Sequence, residues 1–161
     1  MKKVFLILLV IVLATKLTKA QTDWKSYKVD DKISIKLPME PVRKDVNDMT
    51  VLTKDSSAFF VTILDAGVDS AKTSEIINKP GFADALKKAI VDKMPGFTVG
   101  EMTRSSWKSY TVFRAEGIDS SKNLKLYFCM LSIGIRLYFM GNVVPEKSSN
   151  HTDLINLLSL N

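Results

Sequence analysis

The sequence predicts an α+β fold, an antiparallel β-sheet flanked by two main helices. Three observations lead there. Apolar residues recur with period two on both sides of one long stretch of helical period. The links between the later strands, "RSSWKS", "GIDSSKN" and "SIGI", are too short for parallel crossovers. Strands and helices also come in separate runs, the layout of helices packed against an antiparallel sheet rather than woven through a parallel one.

The elements follow in order. Tyr27 to Val29 reads as a short strand and Asp30-Asp31 as a turn. Ile33, Ile35 and Leu37 alternate with Ser34 and Lys36, a half-buried strand that Pro38 and Pro41 close, since proline cannot donate to a ladder. Met49 to Thr53 and Ala58 to Leu64 read as a hairpin around Asp55-Ser56-Ser57. The period then changes. Phe82, Leu86, Ala89, Ile90 and Met94 fall on one helical face, with Asp84, Lys87, Lys88 and Asp92 largely away from it. Pro80-Gly81 starts this helix and Pro95-Gly96 stops it, with Ser74 to Asn78 a separate short turn of helix before it. Strands resume at Phe97 to Thr103, Tyr110 to Glu116, Leu124 to Ser132 and Arg136 to Val143. The apolar residues Leu154, Ile155, Leu157 and Leu158 suit a last helix docked on the sheet.

The stretch "LKLYFCMLSIGIRLYFM", Leu124 to Met140, is the most apolar part of the domain. Ser132-Ile133-Gly134 makes it a hairpin, with glycine in the left-handed conformation that costs other residues energy. Leu126, Phe128, Met130, Leu137 and Phe139 share one face, which must be core. Lys125, Tyr127, Cys129, Leu131, Arg136, Tyr138 and Met140 share the other. Tyrosine, methionine and arginine are common at binding surfaces. The expected partner surface is therefore Tyr127, Tyr138, Met140 and Arg136, joined by Trp107, a large apolar side chain in the polar link "RSSWKSY". The blander alternatives are that this second face is covered, and that Trp107 packs over a core edge.

Catalytic chemistry finds little footing. A nucleophilic cysteine needs a nearby base or positive charge, and Cys129 lies in mid-strand between Phe128 and Met130, the setting of an inert small hydrophobe. The chain has a single histidine, His151, and a single cysteine, too few for a conventional zinc site. "SSNHTD" brings Ser149, His151 and Asp153 together, but Ser149, Asn150, Thr152 and Asp153 are helix-capping types. Asp30-Asp31 and Asp45 with Asp48 could offer oxygens to calcium, yet no EF-hand-like loop is present. No glycine-rich phosphate loop appears. Asn150-His151-Thr152 has the form of a glycosylation sequon. No cofactor is expected.

The chain opens "MKKVFLILLVIVLATKLTKAQT", with Lys2-Lys3, an apolar run from Val4 to Ala14 and a small-residue site at Thr18-Lys19-Ala20. This is the layout of a secretory signal peptide, residues 1–20, cleaved after Ala20. The run is too short to span a bilayer, which takes about 20 residues. The expected mature chain, residues 21–161, is one domain without an integral membrane span, secreted or periplasmic. Cleavage removes Lys2, Lys3, Lys16 and Lys19, leaving 19 (23 less 4) basic residues against 17 acidic ones and a formal charge of +2 in place of +6. No basic stripe remains, so nucleic acid is not an expected partner.

The strand "KISIKLPMEP", Lys32 to Pro41, after its aromatic lead-in, resembles the opening of PsbP-like domains, where an aromatic/apolar-x-apolar-x-apolar-Pro strand enters the sheet. Ile33 stands where an aromatic is common in that family. The resemblance covers roughly Trp24 to Leu160. The fold is shared by extrinsic photosystem II subunits, a Ran-binding nuclear import factor and many small secreted bacterial proteins. It implies an α/β/α sandwich and a non-enzymatic accessory role. No binding motif of a characterised member is matched, so no functional residue is carried over. The leading expectation is thus an accessory protein that binds another extracytoplasmic protein through its exposed sheet face. The alternative is a carrier or sensor of a small apolar ligand held between sheet and helix, lined by residues such as Phe60, Leu86 and Ile90. A small hydrolase using Ser149 or Cys129 with His151 is the third.

Overall fold

The computed structural model describes residues 24–148 and 153–161. The expected signal peptide and the stretch Ser149 to Thr152, with His151, lie outside the described residues. The chain forms β1 (Lys25–Lys28), β2 (Ile33–Leu37), β3 (Arg43–Lys44), β4 (Asp48–Leu52), β5 (Ala58–Asp65), α1 (Ser70–Ile77), α2 (Phe82–Lys93), β6 (Thr98–Val99), β7 (Thr103–Trp107), β8 (Tyr110–Asp119), β9 (Leu124–Ile133), β10 (Arg136–Pro145), a 3₁₀ turn (Leu154–Leu157) and β11 (Leu158–Leu160). It is a mixed α+β fold, mainly antiparallel sheet, with two α-helices among the described residues.

The large sheet runs β3-β4-β5-β10-β9-β8-β6, with β7 also on β8. The expected hairpin of β9 and β10 closes through Gly134 and Ile135, with Gly134 at φ +62°. Asp69 caps α1, its carboxylate accepting from the Lys72 N–H at 2.8 Å. Gly81, at φ +84°, opens α2 after Pro80 as expected. Arg104 of β7 donates to the Asn78 side chain and lies 5.8 Å from the Phe113 ring centroid, tying the end of α1 to the sheet.

Several elements depart from expectation. Ser74 to Asn78 is the second half of α1, which begins at Ser70. The link "RSSWKS" is mostly strand: β7 turns into β8 through Lys108 and Ser109. The expected strand from Phe97 to Thr103 is split between β6 and the start of β7. The last helix does not form. Leu154–Leu157 make one 3₁₀ turn, and Leu158–Leu160 then pair with β2 as a strand. The open edge of β2 gives these residues backbone partners that a nine-residue tail cannot supply to itself as a helix.

Two layers cover the large sheet, and they are offset. On one face, Ile77, Leu86 and Ile90 of the helices pack with Phe113, Leu126, Phe128 and Met130. On the other, the three-stranded sheet β1-β2-β11 brings Ile33, Ile35 and Leu158 down on Val61, Leu131, Tyr138 and Met140. The helices sit over β8 and β9, while the small sheet sits over β4, β5 and β10 and reaches β9. Part of each face is therefore left open. On the helix side it mixes Leu52 and Leu64, 54% and 50% exposed, with Thr50 and the hydrogen-bonded pair Thr62 and Asp48. On the small-sheet side it is polar, and it forms a trough.

Candidate functional site

Side chains directly opposite in an antiparallel sheet share a face, so the register lays out the small-sheet side in rows. One row runs Val51, Phe59, Asn142, Tyr127, Glu116. The next runs Met49, Val61, Met140, Cys129, Arg114, Thr103. Each begins apolar under the small sheet and ends polar where that sheet stops. The polar ends form the floor of two adjoining hollows of about 460 and 580 Å³, which share Gly100, Glu116 and Tyr127. Asp153 and Leu154 of the 3₁₀ turn form one wall. From Arg114 to Ile118 the floor spans five residues of β8, four steps or about 13 Å.

The opposite wall is a β-bulge. Gly100 donates its N–H to the Glu116 carbonyl at 2.8 Å, and Thr103 pairs with Arg114. Glu101 and Met102 thus face Ala115 alone, two residues against one. The bulge interrupts the edge between β6 and β7, brings Glu101 to the rim and lets Met102 pack on the helix side. Gly100 fits because a Cβ there would lie 3.3 Å from the Glu116 carbonyl oxygen.

With Lys125 in the second hollow, Arg114 supplies positive charge to the floor. Its Nη2 is 3.5 Å from Asp153 Oδ2, and its buried Nε has no hydrogen-bond partner among the described residues. Asp153 also caps the 3₁₀ turn, accepting from the Ile155 N–H at 3.3 Å. Burial, aided by the neighbouring Glu116, raises the Tyr127 phenol above its ordinary value. Burial also pushes the Cys129 thiol up to about 12, against a smaller opposing pull from Arg114. The thiol is therefore protonated at neutral pH, the inert state expected from its mid-strand position.

Of the expected partner surface only Tyr127 lies in the trough. Tyr138 and Met140 share its face, as the alternation indicated, but both are 0% exposed beneath the small sheet and cannot form an exposed surface. The Tyr138 hydroxyl donates to Asp30 at 2.7 Å. Arg136 is at the far end of β10, ion-paired with Asp30 at 2.5 Å and with Asp31. Trp107 is half-buried against the small-sheet core, near Tyr110 and under the Lys108 ammonium, 4.9 Å from its ring centroid. The structure does not bring these five residues together. The expected lining of an apolar ligand chamber, Phe60, Leu86 and Ile90, lies in or against one packed cluster, and none of the three lines the hollows of the trough. Sequence reasoning missed Arg114, Glu116 and Asn142. Their signal was present: in "TVFRAEGID" Arg114 and Glu116 alternate with Phe113 and Ala115, marking a strand with one apolar and one charged face.

No group of three or more histidine, cysteine, aspartate or glutamate side chains able to hold a metal ion occurs among the described residues. Among them, too, no helix is long and apolar enough to cross a membrane. No protein-family model matches the chain, and no curated protein matches it.

Proposed function

We propose that the protein is a secreted or periplasmic, non-enzymatic accessory protein that holds an extended segment of another extracytoplasmic protein in the trough. The observation that carries this reading is the bulged edge at Glu101 and Met102 beside a floor of Arg114, Glu116 and Tyr127. A broken edge strand leaves main-chain groups without ladder partners next to charged side chains. An extended chain offers both kinds of complement, backbone groups for the edge and side chains for the floor. The length of the floor matches about four residues of such a chain. The leader-like residues 1–20 support an extracytoplasmic setting, and the likeness of Lys32 to Pro41 to the opening of PsbP-like domains supports an accessory role, although the second cover is the sheet β1-β2-β11 and not the helix layer of the expected α/β/α sandwich.

The test is site-specific photocrosslinking in the native cells. A benzoylphenylalanine at the exposed position Glu116 should give one discrete protein adduct, identifiable by mass spectrometry. The adduct should weaken when Arg114→Glu is added. The same probe at Lys88, exposed on α2, should not give it. Equal adducts from both positions, or none from Glu116, would sink the proposal.

A further inference from the structure

The row of Glu116 and Tyr127 stays polar one strand past the two hollows, whose linings stop at Tyr127. Behind Tyr127, one strand further in, lies Asn142, 0% exposed between Tyr127 and Phe59. Neither its Nδ2 nor its Oδ1 has a hydrogen-bond partner among the described residues. The other covered members of this row, Val51 and Phe59, are apolar. A leucine of similar volume would fill the same space without the desolvation cost. A fully buried amide with no partner therefore needs an explanation outside the closed protein.

We propose that Asn142 is the inner end of the trough and a specificity-determining residue that hydrogen-bonds an amide group of what binds there. A primary carboxamide presents an N–H and its C=O side by side, and a single residue of an extended chain presents its own N–H and C=O in the same way, whereas the two ends of one trans peptide group point apart. Either pair can satisfy Oδ1 and Nδ2 together, which neither a simple cation nor a simple anion can do. Tyr127 stands between Asn142 and Glu116 in the row, so the amide enters past the Tyr127 ring. The inference rests on the trough being the binding site and names the chemistry read at its deep end. The amide has two sources, the backbone of the bound segment or an Asn or Gln side chain on it.

The experiment is a titration of the ¹⁵N-labelled protein with two small probes, N-acetylglycine N-methylamide for the N–H and C=O of one backbone residue and propionamide for a side-chain carboxamide, with tert-butanol as control. The Asn142 side-chain resonances are assigned by their loss in Asn142→Leu. Expected are saturable shifts of the Asn142 NH₂ pair and the Tyr127 backbone with at least one amide, and none with tert-butanol. The more tightly bound probe names the source. Asn142→Leu should keep the spectrum of a folded protein, melt at a higher temperature and bind the amide about tenfold more weakly or worse. No saturable shift with either amide would overturn the inference, as would a bound water at Asn142 that neither probe displaces. So would a lower melting temperature for Asn142→Leu, since the amide would then be holding the fold. The two readings fail separately. A Glu116 crosslink unchanged in Asn142→Leu rejects the role of Asn142 and leaves the trough. Amide shifts without a crosslink keep Asn142 and reject the protein partner.

Discussion

Asp30 is the residue on which most of the polar structure under the small sheet converges. Its Oδ1 accepts the backbone N–H groups of Lys32 and Ile33 at 2.8 and 3.0 Å. Its Oδ2 accepts from Tyr138 and Arg136. Burial alone would raise this carboxyl, but the hydrogen bonds from Tyr138, Ile33, Lys32 and Arg136 together outweigh it and hold it below the ordinary carboxylate value. A carboxyl depressed in the folded state contributes its full stabilisation above about pH 4, and loses it as the pH falls through the folded-state value. Asp30→Asn should flatten that acid limb in urea titrations run across the same window. Tyr138→Phe should cost about 1.5–3 kcal/mol in chemical denaturation, the worth of one hydrogen bond to a charged group. A loss of amplitude without a shift in midpoint would contradict this account. Cys129 gives a second residue-scale test. With its thiol buried and near 12, iodoacetamide at pH 8 should alkylate it only as fast as the protein opens, and addition of urea should make it react at once. At this scale the sequence showed which face each residue of β9 and β10 occupies, because alternation fixes parity. It did not show which face is covered, because that depends on where the two ends of the chain go.

Among elements, those with local causes were legible. The β9–β10 hairpin follows from Gly134 and alternation, and α2 from its apolar stripe between Pro80-Gly81 and Pro95-Gly96. Elements settled by distant partners were not. The apolar spacing of Leu154, Ile155, Leu157 and Leu158 suits a helix, but β2 offers a free edge 123 to 127 positions earlier (158 − 35 to 160 − 33) and wins the segment as β11. The bulge at Glu101 and Met102 was hidden for a related reason. It is a mismatch between two strands, and no single strand carries its signature. Deleting residues 158–161 would remove the β11 ladder, the buried Leu158 and the Asn161 side chain that bonds Ser34 Oγ at 2.6 Å and the Asp30 carbonyl at 2.7 Å. The expected cost is about 2–4 kcal/mol, read as a lower urea midpoint. Hydrogen exchange should quicken first in β2, while β8 and β9 stay protected.

For the whole molecule, the α+β class was legible because runs of strand and runs of helix are separate along the chain. The layering was not, since the second cover is a sheet built from both ends of the described domain rather than a helix at one end. The offset of the two covers also explains the chemistry of the openings. Where the small sheet stops short, the floor is strand residues that alternate charge with core, giving a trough. Where the helices stop short, Phe60 lies across Gly141 so closely that a Cβ there would come within 2.0 Å of its ring. That part carries Leu52 and Leu64 beside Thr50, Thr62 and Asp48.

The pairing of β2 with β11 has a consequence for how the protein is made. Ser34 and Asn161 are 127 positions apart, and the lid over the large sheet needs both. During synthesis β4 to β10 can assemble as each strand emerges, because every neighbour in that run except β10 with β5 is close in sequence. The lid cannot close until residues 158–161 have left the ribosome. Until then the cover over Tyr138, Met140 and Val61 lacks one of its three strands, and the growing chain presents a surface that the finished protein never shows. A chain stalled before residue 158 is therefore a large sheet with an incomplete cover, a form in which a chaperone would find much to hold.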